Sequence, residues 1–169
     1  MNPFKLALLG ATALLVACGE KKEEVLTYES VAACTSAGVQ DAATCQAEFD
    51  TAQSRHNEVA PRYARANDCY TDFGYNGCRS YRTSSGSIWL PLMVGYMLAP
   101  RGVSRIYTQP LYRPSSDPGK FYTARNGRIG AVSRDGRTQI ASSQTTKPQA
   151  RTRTVARGGF GARARSSGS

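Results

Sequence analysis

Few side chains in this sequence could do chemistry. His56 is the single histidine, so a Ser/His/Asp or Cys/His mechanism would have to use it to take a proton from a nearby hydroxyl or thiol. It falls on the apolar face of a helically periodic segment, which gives it the plainer role of packing. Glu48 with Asp50, and Asp68 with Asp72, could be taken as carboxylate pairs for acid/base work. Residues two apart on a helix point to different sides, so Glu48 and Asp50 do not converge. Asp68 and Asp72 are four apart and share a face, for which a solvated helix face is the expectation. A glycosidase would need a sugar-sized cleft as well as the pair. One histidine and scattered carboxylates make a poor metal site. We therefore expect no catalytic residue, no metal and no cofactor, and read the chain as more suited to binding than to catalysis.

The cysteines carry more information. Leu6 to Val16 is an apolar stretch of eleven residues behind Lys5, too short to span a bilayer but suited to the hydrophobic region of an export signal. It ends in Leu15-Val16-Ala17-Cys18, which resembles the bacterial lipobox, where the cysteine thiol is acylated before the signal is cut away. Gly19, not Asp, follows, so the outer membrane is expected over the inner one. Beyond Cys18 stand Cys34, Cys45, Cys69 and Cys78, spaced without the C-x2-C knuckle of a zinc site. In an oxidising compartment four such cysteines form two disulfides, with three possible pairings. A weak repeat selects among them. Tyr28 precedes Cys34 by six residues and Tyr63 precedes Cys69 by six, and each cysteine is followed by a glycine and then a second cysteine. This favours Cys34–Cys45 and Cys69–Cys78, each worth about 2.5–3 kcal/mol by loop entropy.

The elements that must position these residues are short. Ala42, Cys45, Phe49, Ala52, His56 and Val59 form one stripe of a helix capped by Asp41 and stopped by Pro61. A second helix opens at Asn67, carries Cys69, Tyr70 and Phe73, and ends near Gly74. Phe121–Arg125 and Arg128–Val132 flank Asn126-Gly127, the dipeptide suited to a type I′ turn. Asp135-Gly136 repeats the signal, giving a three-stranded meander over 120–141.

Leu, Ile, Val and Phe together number 28 of 169 residues, and seven of them lie in the first seventeen. So little apolar material argues against a large core with a solvent-excluding cleft. Charge divides sharply: residues 18–78 carry ten acids and five bases, and residues 79–169 carry sixteen bases with only Asp117 and Asp135. The densest apolar run is Ile88 to Ala99, with both Pro91 and Gly95 inside it. Two roles are open to it: a core shared by helix and meander, or an exposed docking strip in which Trp89, Leu90, Leu92, Met93, Tyr96 and Met97 meet a membrane or partner. We favour docking. From Ser142 the chain has six bases, no acids and only Val155 and Phe160 as sizeable apolar groups, the composition of a disordered tail. Within it Arg157-Gly158-Gly159-Phe160-Gly161 resembles RGG-type RNA-binding segments. Behind an export signal no nucleic acid is expected, and Arg151, Arg153, Arg157, Arg163 and Arg165 would instead meet anionic envelope polymers or lipid phosphates.

The expected architecture is a small α+β protein. Residues 1–17 form a lipoprotein signal peptide and 18–27 a tether. Residues 28–82 form a Cys-stapled helical module, 83–100 the apolar strip, 101–141 a hairpin or meander region and 142–169 a disordered basic tail.

Three blocks also carry a resemblance. They are Ser84–Met97, the stretch from Ala60-Pro61-Arg62-Tyr63 through Cys69 to Cys78, and Thr154–Gly161. In that order behind a lipobox they resemble the YgiB-like lipoprotein family of proteobacteria, across nearly the whole mature chain. The resemblance implies an exported, lipid-anchored envelope protein to which no activity and no site residues are assigned. Relatives tend to be encoded beside ATP-grasp ligases similar to glutathionylspermidine synthases. The alternative this implies is an accessory factor or enzyme of a peptide- or polyamine-modifying pathway. The first reading, a binding or scaffolding protein held to the bilayer through acylated Cys18, needs no active site and is preferred.

Overall fold

The computed structural model describes residues 20–154 and Phe160. Its centre is a five-stranded antiparallel sheet with the order β6-β5-β4-β1-β7. The strands are β1 (Lys22–Tyr28), β4 (Gly95–Leu98), β5 (Gln109–Tyr112), β6 (Tyr122–Thr123) and β7 (Arg137–Ala141). A separate hairpin joins β2 (Cys78–Thr83) to β3 (Gly86–Pro91). Three helices complete the α+β fold: α1 (Val31–Ala37), α2 (Ala42–Val59) and α3 (Ala66–Phe73).

The helices follow their sequence signals. Ser30 caps α1 by accepting from the Ala33 N–H, and Gly38 ends it in the left-handed region at φ 68°. Asp41 caps α2 by accepting from the Thr44 N–H at 2.8 Å, and the helix ends two residues before Pro61. Cys45, Ala52, His56 and Val59 of the expected stripe are buried, while Ala42 at its start stays exposed. The helix α3 ends at Gly74 as its sequence indicates. Both staples take the pairing that the repeat selects, Cys34–Cys45 tying α1 to α2 and Cys69–Cys78 tying α3 to β2.

Five expectations are corrected. Residues 22–27, expected to be part of a tether, join Tyr28 in the strand between β4 and β7, because Val25, Leu26, Thr27 and Tyr28 are buried on both faces of the sheet. The charged Lys-Lys-Glu-Glu run before them hid that strand. The 120–141 meander does not form either: β6 and β7 lie at opposite edges of the sheet. After β6 the chain turns, Arg128 bridges back to Tyr122, and Ile129 enters the cluster of Val25, Met97, Leu111 and Ile140 on the other sheet face. The turn is not type I′. Ala124 and Arg125 occupy its middle, the Asn126 N–H donates to the Thr123 carbonyl, and Asn126 itself takes φ 68°. Gly127 is needed for a different reason, since a Cβ there would lie 2.4 Å from the Gln144 side chain. Ser133–Arg137 repeats this turn with Gly136 in the left-handed position.

The apolar strip is core. It breaks at Leu92–Val94 into β3 and β4, which respects Pro91 and Gly95, and Leu90, Tyr96, Met97 and Leu98 are buried. Gly95 sits where a Cβ would meet the Tyr28 carbonyl at 2.7 Å. Trp89, Leu92 and Met93 keep partial exposure, with Trp89 and Met93 packed against core clusters. The docking strip expected from Trp89 to Met97 is therefore withdrawn for Leu90, Tyr96 and Met97.

The tail is ordered over 142–154. Its anchors are mostly backbone hydrogen bonds, which composition does not count. Tyr107 N–H donates to the Thr145 carbonyl, Gln109 Nε2 to the Gln144 carbonyl, and Arg151 N–H to the Glu58 carbonyl. Thr154 then bridges Arg62 in parallel, and Phe160 is buried. The rest of the expected tail, 155–159 and 161–169, lies outside the described residues, as do the signal peptide and Cys18.

Candidate functional site

The polar groups that the fold gathers lie where α2 and α3 meet β5 and the C-terminal segment. Helix α2 carries His56 onto β5, where Nδ1 stands 3.1 Å from the Tyr112 hydroxyl. Burial holds this imidazole in its neutral form and lowers its pKa to about 4. Burial also pushes the Tyr112 phenol above its ordinary range. On the last turn of α3, Asp72 accepts from the Tyr63 hydroxyl at 2.8 Å and from the Phe160 N–H at 3.3 Å. Burial raises the Tyr63 pKa first, and the hydrogen bond to Asp72 and its charge add to the rise. Phe160 closes the cluster, its ring against Phe73, Tyr112 and Tyr122.

Asp68 and Asp72 are thus not a solvated face. Both are buried, Asp68 against Arg65 and Asp72 against Tyr63, because Cys69 and Phe73 beside them turn that side of α3 inward. Glu48 and Asp50 diverge as their spacing requires: Glu48 accepts from the Thr108 hydroxyl and Asp50 from Gln46 Nε2. His56 fills the packing role read for it.

The basic residues of the tail separate. Arg151 is half-buried and donates to the Ala124 carbonyl, Arg153 is exposed, and Arg157, Arg163 and Arg165 lie outside the described residues. Of the RGG-like segment, Phe160 is described, and its ring is buried in the core.

Such an arrangement fixes protons; it does not present them. Three surface grooves of about 460, 340 and 330 Å³ are lined respectively by residues around Arg137, Arg113 and Arg55, and none of the three reaches His56 or Asp72. Among the described residues no three His, Cys, Asp or Glu side chains converge as a metal would need. Among them, too, no helix is long and apolar enough to cross a membrane. The Tyr63–Asp72 and His56–Tyr112 contacts escaped sequence reading because their partners lie 9 and 56 residues apart, with no motif to join them. The one legible hint was the inward company of Cys69 and Phe73.

Fold and cluster together define a disulfide-stapled α+β domain with a buried aromatic and polar centre. The chain belongs to the family described as Protein of unknown function (DUF1190), whose profile matches residues 22–169. It is similar to a UPF0441 protein of Klebsiella pneumoniae, 32% identical over 179 residues that cover 95% of this chain and 80% of the relative. A UPF0441 protein of Sodalis glossinidius is 33% identical over 175 residues, and one of Yersinia pestis 33% over 184, each with the same 95% and 80% coverage. No solved structure matches.

Proposed function

We propose that this is an exported protein, acylated at Cys18 and held at the cell envelope, that acts by binding or scaffolding and not by catalysis. The observation that carries the reading is the cysteine usage. Four of the five cysteines pair into two buried disulfides, leaving Cys18 alone at the end of an apolar stretch in a lipobox-like setting. Acylation there would attach the bilayer four residues before β1, and several acyl chains make such an anchor stable. The outer membrane is the destination proposed, from Gly19. The exposed partner surface is drawn from the basic distal half, which suits an anionic envelope polymer or an acidic envelope protein.

Labelled palmitate tests the reading. The wild-type protein should take up label and sediment with outer membranes, and Cys18→Ser should abolish both. Unlabelled wild-type protein in the soluble periplasmic fraction would overturn it.

A further inference from the structure

We infer that the β2–β3 hairpin and the end of α3 form a binding surface for an anionic polysaccharide. The strand register decides which side chains share a face. Cys78 pairs with Pro91, Ser80 with Trp89 and Arg82 with Ser87, so these project to one side while Arg79, Tyr81, Ile88 and Leu90 project to the other. The first side fronts α3, since Cys78 is bonded to Cys69 there and Trp89 meets Tyr70 edge-on at 5.5 Å. Tyr70 in turn lies 4.9 Å from Tyr75, which is 77% exposed. Tyr75 thus stands exposed at the end of a row whose other rings, Tyr70 and Trp89, are half-buried against the core, with exposed Ser80, Ser87 and Arg82 continuing the same face.

These groups match an acidic sugar. A hexose presents a face of polarised C–H bonds that packs on an aromatic π-face, ring hydroxyls for serine, and a carboxylate for guanidinium. Arg82 makes no ion pair among the described residues. No acidic residue occurs between Asp72 and Asp117, so nothing in that stretch repels the ligand.

A lipid surface offers similar charge, but its position disfavours it. The hairpin springs from Gly77 and Leu92, beyond the end of the sheet where β4 meets Tyr28. Lys22 lies at the opposite end of β1, beside Ala141. The anchor proposed above would emerge there, within about 14 Å of Lys22. This choice between sugar and lipid rests on that anchor. The surface chemistry does not.

The test uses the full chain carrying Cys18→Ser, which removes acylation and so keeps it independent of the palmitate result. Trp89 is the only tryptophan and reports from within the surface. Titration with polygalacturonate, one carboxylate per sugar, should change its emission saturably. Tyr75→Ala should weaken binding about fivefold and Arg82→Gln about tenfold, with unchanged circular dichroism, while Arg79→Gln on the other face should bind as wild type. Absence of a saturable response would overturn the inference. So would equal loss in Arg79→Gln, which would mark diffuse charge attraction. A response to phosphatidylglycerol vesicles but not to the polysaccharide would assign the surface to lipid and equally overturn it.

Discussion

Acidification should unfold this protein through one side chain. His56 is buried against Tyr112, and burial lowers its pKa from 6.5 to about 4. The unfolded chain therefore binds a proton near pH 6.5 that the folded chain refuses until about pH 4, so stability is present above 6.5 and lost as pH falls through that window. A gap of roughly 2.5 pH units at 1.36 kcal/mol each gives about 3 kcal/mol in full, of which about 2 kcal/mol is gone by pH 5. Histidine is the side chain whose ordinary range falls between pH 7 and 5, and His56 is the only one in the chain, so it is the principal source of any slope there. Urea unfolding with intact disulfides, repeated at half-unit intervals of pH, measures it. His56→Gln keeps a hydrogen-bonding side chain that does not titrate and should flatten the curve over this window, whatever it costs at pH 7. Equal slopes in wild type and variant would refute the assignment of a buried neutral imidazole.

Three further outcomes follow from packing and chain entropy. Replacing Cys69 and Cys78 together by Ser should cost about 2.5–3 kcal/mol, read as a lower urea midpoint with the other staple intact. Phe160→Ala removes a ring packed on three others and should cost about 3 kcal/mol by thermal unfolding; a change under about 0.5 kcal/mol would mean that Phe160 does not hold the core in solution. Gly136→Ala forces a Cβ to 2.3 Å from the Tyr28 ring in a residue at φ 85°, so it should destabilise by more than about 2 kcal/mol, whereas Gly38→Ala, strained in φ but open in space, should cost about 1 kcal/mol.

What was legible in the sequence was local. The cap at Asp41, the stop before Pro61, the α2 stripe and both disulfides depend on residues within about a dozen positions of one another, where spacing alone constrains geometry. The sheet was not legible, because its pairings are remote and its strands short. Tyr122–Thr123 is too short to show alternation, and β1 is buried on both faces and so has no period-two pattern to display. The same limit explains the strip from Ile88 to Ala99. Pro91 and Gly95 forbid one continuous strand, and only the tertiary fold reveals that they separate two. At the tail the error lay in equating scarce apolar side chains with disorder, when backbone hydrogen bonds to Thr145 and Arg151 hold 142–154 in place. Asp72 is buried by partners that its local sequence does not show, Tyr63 and Phe160, the second of them 88 residues away.

The charge division acquires its meaning from this topology. An acidic first half and a basic second half suggest two lobes, yet β1 belongs to the first half and sits between strands of the second. Glu23 and Glu24 within it, and Glu29 just after it, meet bases from far along the chain: Glu23 with Arg105 at 3.2 Å, Glu29 with Arg113 at 2.8 Å and Glu24 with Arg137 at 2.5 Å. The Glu29–Arg113 and Glu24–Arg137 pairs are solvent-exposed and contribute at most about 1 kcal/mol each, so they do not explain the stability of the sheet. Their use is in assembly. The pairing of β1 with β7 closes a loop of more than a hundred residues, a slow step by chain entropy, while the staples close separations of only 11 and 9. Opposite charges on the two remote segments favour their encounter and disfavour pairing of the acidic strand with a second copy of itself. The division of charge thus serves the assembly of the sheet, and among the described residues Arg82 is a base of the distal half that makes no ion pair.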